Sequence, residues 1–102
     1  MIMRIFQVTT RPGKEAAFAQ FFHETAIPLM RGTEGCVQVL PGAARAESPR
    51  DFSFVMVWRD LDALRAFVGD DIDSPHVDPA EAELVERRSI KHYDLVEETA
   101  HV

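Results

Sequence analysis

Apolar and polar positions change period several times along the chain. In "MRIFQVTT", residues 3 to 10, Met3 and Ile5 alternate with Arg4, Phe6 and Val8, and "RPGK" at 11 to 14 is a turn signal, so the segment predicts a strand. The period then lengthens to that of a helix. Phe18, Phe21, Phe22, Thr25 and Leu29 fall on one stripe when projected at about 100° per residue, with Pro28 placed to kink or end the helix. "GCVQVLPG", residues 35 to 42, predicts a short second strand between glycines, and after the loop "AARAESPRD" a third is predicted over "FSFVMVWRD", residues 52 to 60. Asp60 is placed to cap a helix over "LDALRAFV", where Leu61, Leu64, Phe67 and Val68 make an apolar face. "DPAEAELVERR", residues 78 to 88, opens another helix with Asp78 at the cap, Pro79 at the first helical position and Glu81 at the third. "SIKHYDLVEE", residues 89 to 98, closes the pattern as a strand of mixed faces, and "TAHV" reads as a frayed tail. There is no internal repeat and no low-complexity tract.

The order β-α-β-β-α-(α)-β predicts an α+β, ferredoxin-like protomer, a four-stranded antiparallel sheet with helices on one face. The expected unit is a single domain over residues 1–102, with a core of about 3–97 and a tail of 98–102. Both faces of strand three are apolar, Phe52, Phe54, Met56 and Trp58 pointing one way and Val55 and Val57 the other. Helices cover only one of these. A bare apolar face promotes aggregation, so a second copy placed face to face is expected, closing a two-sheet barrel with an interface of about 2,000 Å² or more.

Composition narrows the partners. The 102 residues are 46% hydrophobic and 27% charged, which suits a globular chain. The longest apolar run, "FVMVW", is far short of a membrane span, and the N-terminus lacks the signature of a signal peptide, so a cytoplasmic location is expected. A net charge of −6 with scattered basic residues opposes nucleic acid. Cys36 is the only cysteine, which excludes an internal disulfide and a cysteine-rich zinc site; within "CVQVL" it reads as a core thiol.

Several stretches together carry a resemblance. "VTTRPGKEAAFAQFF", "GCVQV", "FSFVMVWRDLDALRAF", "SPH" and "SIKHYDLV" resemble the antibiotic biosynthesis monooxygenase (ABM) domain family of dimeric α+β barrels, over about residues 3 to 97. The shared motifs are an early strand followed by "PGK" and a helix, an "EGC" turn opening strand two, a tryptophan ending strand three, and a histidine-tyrosine pair in the last strand. The resemblance implies a homodimer joined through the sheet face. It also implies a pocket between helices and sheet for a small aromatic or quinol, oxidised without metal or flavin. Non-catalytic, stress-associated holding of an apolar ligand in the same pocket stays open as the alternative, so whether the chain is an enzyme is undecided at this stage. Haem binding or degradation is a third reading.

Oxygenation of a phenol without a cofactor needs an apolar pocket, little water and a hydrogen-bonding base. His76 is the candidate base, because imidazole titrates near neutral pH and its place beside "SP" is similar to that of the pocket-edge histidine in the family. Trp58 and Phe67 suit helix-to-sheet packing and, as large rings, the lining of the pocket. His92 and Tyr93 are adjacent in a strand and face opposite ways, so only one can enter; Tyr93, alternating with Leu95, is the choice. His23 should be solvated and His101 lies in the tail.

The haem-degrading branch uses an asparagine on the first strand, a tryptophan in the second helix and a histidine beyond it. This chain has no asparagine, carries Phe67 at the helix position, and matches only at His76. The better-known phenol oxygenases also place an asparagine and a tryptophan around the substrate. In "GDDIDSPHVD", residues 69 to 78, carboxylates and an imidazole could ligate a metal, but neither a His-based zinc spacing nor a calcium loop is present, so no metal is expected. Asp78 is explained as a cap, Asp73 or Ser74 can cap the turn opened by Pro75, and Asp70 and Asp71 keep the loop solvated.

Overall fold

The computed structural model describes residues 1–74 and 79–96. Its elements run β1 (Ile2–Thr10), α1 (Glu15–Phe21), a π turn (Phe22–Ala26), α2 (Ile27–Arg31), β2 (Cys36–Gly42), β3 (Asp51–Trp58), α3 (Leu61–Val68), α4 (Pro79–Ala82) and β4 (Val85–Asp94). The strands form one antiparallel sheet in the order β2-β3-β1-β4, the expected ferredoxin-like arrangement. No helix among the described residues is long and apolar enough to cross a membrane.

Strand β1 has a partner on each side, so its alternation is read twice. Arg4 lies opposite Met56 and His92, Phe6 opposite Phe54 and Ile90, and Val8 opposite Phe52 and Arg88. Directly opposed residues share a face, so these three rows all point toward the helices. The other face begins apolar at Met3, Ile5 and Val55 and turns polar at Gln7, Ser53 and Ser89. Exposed Leu40, opposite Val55, and exposed Tyr93, opposite Met3, belong to its apolar end.

The core lies between the inner rows and the helices. Phe18 meets Phe52 at 4.7 Å between ring centroids, and Phe22 meets Phe54 at 5.3 Å. Fully buried Leu64 and buried Ala63 hold α3 against this layer. Asp60 caps α3 as expected: its backbone is extended and its carboxylate accepts from the Ala63 N–H at 2.8 Å.

Two helices depart from the expected pattern. Pro28 neither ends nor breaks the first helix, which continues to Arg31. The irregularity falls one turn earlier, where the Ile27 N–H donates to the Phe22 carbonyl five residues back. Proline lacks an N–H and crowds the carbonyl four residues before it, and the wider turn accommodates both. The extra residue rotates the inner stripe, so Phe18, Phe22, Ile27 and Met30 are buried while Thr25 and Leu29 are exposed.

The helix expected over residues 78 to 88 is a single turn, Pro79–Ala82, and β4 begins at Val85 rather than at 89. The Leu84 N–H closes onto the Glu81 carbonyl at 2.9 Å, and the Leu84 carbonyl then accepts from the Arg11 N–H at 2.9 Å. Pairing with β1 captures the chain as a strand. Buried Val85 takes its place opposite Thr10, across a register shift between Thr9 and Thr10.

Gly35 carries a constraint of its own. It adopts φ +87°, and a Cβ there would sit 2.5 Å from the Ala63 Cβ. We expect Gly35→Ala to destabilise the fold by about 1–3 kcal/mol through backbone strain, with the clash adding to it. Ala63→Gly should relieve only the clash part, so a double-mutant cycle in urea should show coupling between the two positions. Unchanged stability of Gly35→Ala would refute this account of the turn.

Candidate functional site

A cavity of about 260 Å³ lies between the helices and the inner face of the sheet. The sheet contributes Phe6, Val8, Phe52, Phe54 and Met56 to its wall, and the first helical stretch contributes Phe18, Phe21, Phe22, Leu29 and Met30. Phe67 reaches it from α3, Pro79 and Glu81 from α4, and Arg4 from β1. The wall is therefore mostly aromatic ring and methionine, materials that favour a flat apolar guest.

Arg4 is 2% exposed. Its Nη1 donates to the Ile72 carbonyl at 2.6 Å and lies 2.8 Å from His92 Nε2, and its Nη2 donates to the Ser74 carbonyl at 3.4 Å. A guanidinium only donates, so His92 Nε2 accepts and the imidazole proton sits on Nδ1, which faces Asp73 Oδ1 at 3.5 Å. One arginine thus joins β1, β4 and the loop after α3. Burial lowers the Arg4 pKa, and Asp73 partly restores it. Burial and the adjacent Arg4 charge hold His92 below the ordinary histidine value, with Asp73 pulling the other way.

Glu81, 6% exposed, accepts from Arg88 Nε at 3.4 Å. Asp71 accepts from the Asp73 N–H at 3.1 Å, a local turn that shapes the loop, so Asp71 does more than solvate it; the turn that Asp73 or Ser74 is expected to cap at Pro75 lies outside the described residues. Cys36 is half-buried and burial pushes its thiol pKa up, which suits a packed thiol rather than a nucleophile.

The expected site residues part company here. His76 and Asp78 lie outside the described residues. Phe67 is among the residues that line the cavity, whereas Trp58 is fully buried one layer behind it, stacked on Phe67 at 5.4 Å and 30°. Tyr93 points to the open face of the sheet, and His92 takes the inward position, because Arg4 and His92 are opposed across β1 and β4. Arg4 and Glu81 were not anticipated as cavity residues. The signal for Arg4 was its register, an arginine in the same alternation as Phe6 and Val8.

The family model for antibiotic biosynthesis monooxygenase matches residues 1–85. Comparison with curated proteins finds no match. Among solved structures, protein SO0527 from Shewanella oneidensis is similar at 24% identity and TM-score 0.73, with 90% of this chain and 87% of that chain covered. A candidate antibiotic biosynthesis monooxygenase from Deinococcus radiodurans has 20% identity, TM-score 0.78 and coverage of 100% and 99%. SnoaB, a cofactor-independent oxygenase from Streptomyces nogalater solved as its N63A mutant, has 20% identity, TM-score 0.71 and coverage of 98% and 97%. At such identities the likeness is one of fold.

The His92 environment has a thermodynamic consequence. A histidine whose folded pKa is depressed stays neutral while the unfolded chain takes up a proton, so its stabilising contribution is present above the unfolded value of about 6.5 and is lost as pH falls through the folded value. Urea unfolding should therefore show stability falling below about pH 6.5, and less steeply in His92→Gln, which keeps an acceptor for Arg4 without titrating. Identical pH profiles for the two proteins would show that His92 is not held neutral.

Proposed function

The chain belongs to the antibiotic biosynthesis monooxygenase family, and on that premise we propose that it acts as a cofactor-independent monooxygenase-like protein on a small aromatic or quinol held between helices and sheet. The observation that carries this reading is the cavity of about 260 Å³ walled by Phe6, Phe18, Phe22, Phe52 and Phe54. Such a wall suits a flat apolar ring.

The chemistry asked of the protein is modest. Removal of a phenolic proton makes the ring electron-rich enough to reduce O₂ itself, after which oxygen adds to the ring carbon and water is lost. One phenol and one O₂ give one quinone and one water, so no external reductant is needed. His76 is proposed as the proton acceptor, because a neutral imidazole is the right base near pH 7 and the loop it follows, residues 71–74, is tied to the cavity wall by Arg4. Phe67 is proposed to contact the ring.

Oxygen uptake with a panel of hydroquinones and polyphenols tests the reading. Turnover should appear with one- or two-ring substrates and fall by about 10²-fold or more in His76→Ala. Equal rates would remove His76 from catalysis, and no uptake with any member of the panel would turn the reading to ligand holding without chemistry.

A homodimer through the open face of the sheet is part of the same proposal. Leu40 and Tyr93 are 53% and 46% exposed there, beside Ile5 and Val55, and no helix among the described residues covers them. Sedimentation at micromolar concentration should give a dimer mass, and Leu40→Lys should shift the protein toward monomer. A folded wild-type monomer would end this part of the proposal.

A further inference from the structure

Arg4 has a charge that its neighbours among the described residues do not match. The ion pairs formed among the described residues join Arg45 to Glu47, Arg50 and Arg87 to Glu86, Arg59 to Asp60, Arg88 to Glu81, and His92 to Asp73. None of them includes Arg4, although it is one of the most deeply buried side chains in the molecule. Its partners are two backbone carbonyls and an imidazole, all dipoles. Asp73, the carboxylate behind the imidazole, has an 83% exposed side chain, so water screens much of its field. Buried cations are ordinarily paired, because desolvation of an unmatched charge is costly.

The unmatched charge borders the aromatic cavity. Its three bonds engage Nη1 and Nη2, leaving the Nε–H and one Nη2–H without a protein partner among the described residues. Glu81, the one acid among the described residues of the cavity wall, is paired with Arg88 at 3.4 Å. We propose that this cavity binds a one- or two-ring aromatic through an ionised oxygen, a phenolate or a carboxylate, held against the Arg4 guanidinium. The inference deepens the reading of the cavity as an aromatic site and rests on it, but it concerns binding and requires no turnover. A weakly hydrated guanidinium behind a wall of rings suits an anion whose body is flat and apolar.

Binding to the full-length protein tests this directly. Trp58, the only tryptophan, stacks on Phe67 in the cavity wall, so its fluorescence reports occupancy. One arm compares 1-naphthoate with the neutral 1-naphthalenemethanol. The other titrates 4-nitrophenol, which ionises near neutral pH, in the presence of protein. Among the described residues, the titratable and charged groups that face Arg4 are His92 on β4 and Asp73 in the loop, with Glu81 on α4 and its partner Arg88 across the cavity; the neutral alcohol measured at each pH corrects for them.

The expected result is at least about a tenfold preference for anion over neutral form, read as tighter naphthoate binding or as a bound nitrophenol pKa lowered by about one unit or more. Preference for naphthoate alone identifies a carboxylate ligand, and preference for nitrophenolate alone a phenolate. Arg4→Met should abolish the preference and Arg4→Lys should keep its direction. The wild-type titrations stand on their own if Arg4→Met does not fold. Absence of preference in both arms, absence of binding by any probe, or a preference that survives in folded Arg4→Met would each overturn the proposal. A protein that consumes no O₂ yet prefers the anion would lose the oxygenase reading and keep this one.

Discussion

Strand β1 is paired on both edges, and that double pairing decides which side chains meet the cavity. A slip of one residue against either neighbour would carry Arg4 to the open face and bring Ile5 inward, because side-chain direction in a strand repeats every second residue. The rows Met56–Arg4–His92, Phe54–Phe6–Ile90 and Phe52–Val8–Arg88 are thus one decision made three times. The apolar rows stabilise the register by burial, and the Arg4 row depends on it for every hydrogen bond that the guanidinium makes.

The opposite wall of the cavity owes its shape to an imperfect helix. In a regular helix Phe18, Phe22, Thr25 or Ala26, and Leu29 would continue one stripe onto the sheet. The π turn adds a residue between Phe22 and Ile27, so Ile27 and Met30 take over the packing, while Thr25 and Leu29, both more exposed, still border the cavity. Pro28 explains why the turn sits where it does. It removes one N–H from the ladder, and the wider turn lets the helix continue without it. A local defect in hydrogen bonding is thereby converted into the direction of several side chains.

The strands and the cap at Asp60 were legible because each depends on neighbours within a few residues. Alternation over 3–10 and over 52–58 needs no knowledge of the partner strand, and an aspartate before an amphipathic run caps whatever follows it. The end of α4 was not legible in the same way. The helical turn holds Pro79 as expected while the cap assigned to Asp78 lies outside the described residues, and the chain leaves the helix where the Arg11 N–H, just past the end of β1, reaches the Leu84 carbonyl. Parity alone showed that His92 and Tyr93 face apart, and only the pairing of β4 with β1 shows which one lies inward. Trp58 and Phe67 were readable as large rings near the helix-sheet boundary; their order, Phe67 at the cavity and Trp58 behind it, is a matter of depth that a one-dimensional pattern does not contain.

Arg4 was visible in the sequence as a charge on an apolar face, and its meaning turns on how much of the side chain its surroundings use. Holding the loop at Ile72 and Ser74 and accepting the company of a neutral His92 requires N–H donors in a fixed fork. It does not require a net positive charge. A neutral donor could satisfy two carbonyls and one imidazole nitrogen at a smaller desolvation cost, so the charge exceeds what the fold needs. The surplus lies against a cavity lined mainly by phenylalanine and methionine, in which Glu81, the one acid among the described lining residues, is paired with Arg88. An electrostatic demand of that kind is met by something that brings a negative charge into an aromatic pocket, and the fold leaves room for it beside Arg4.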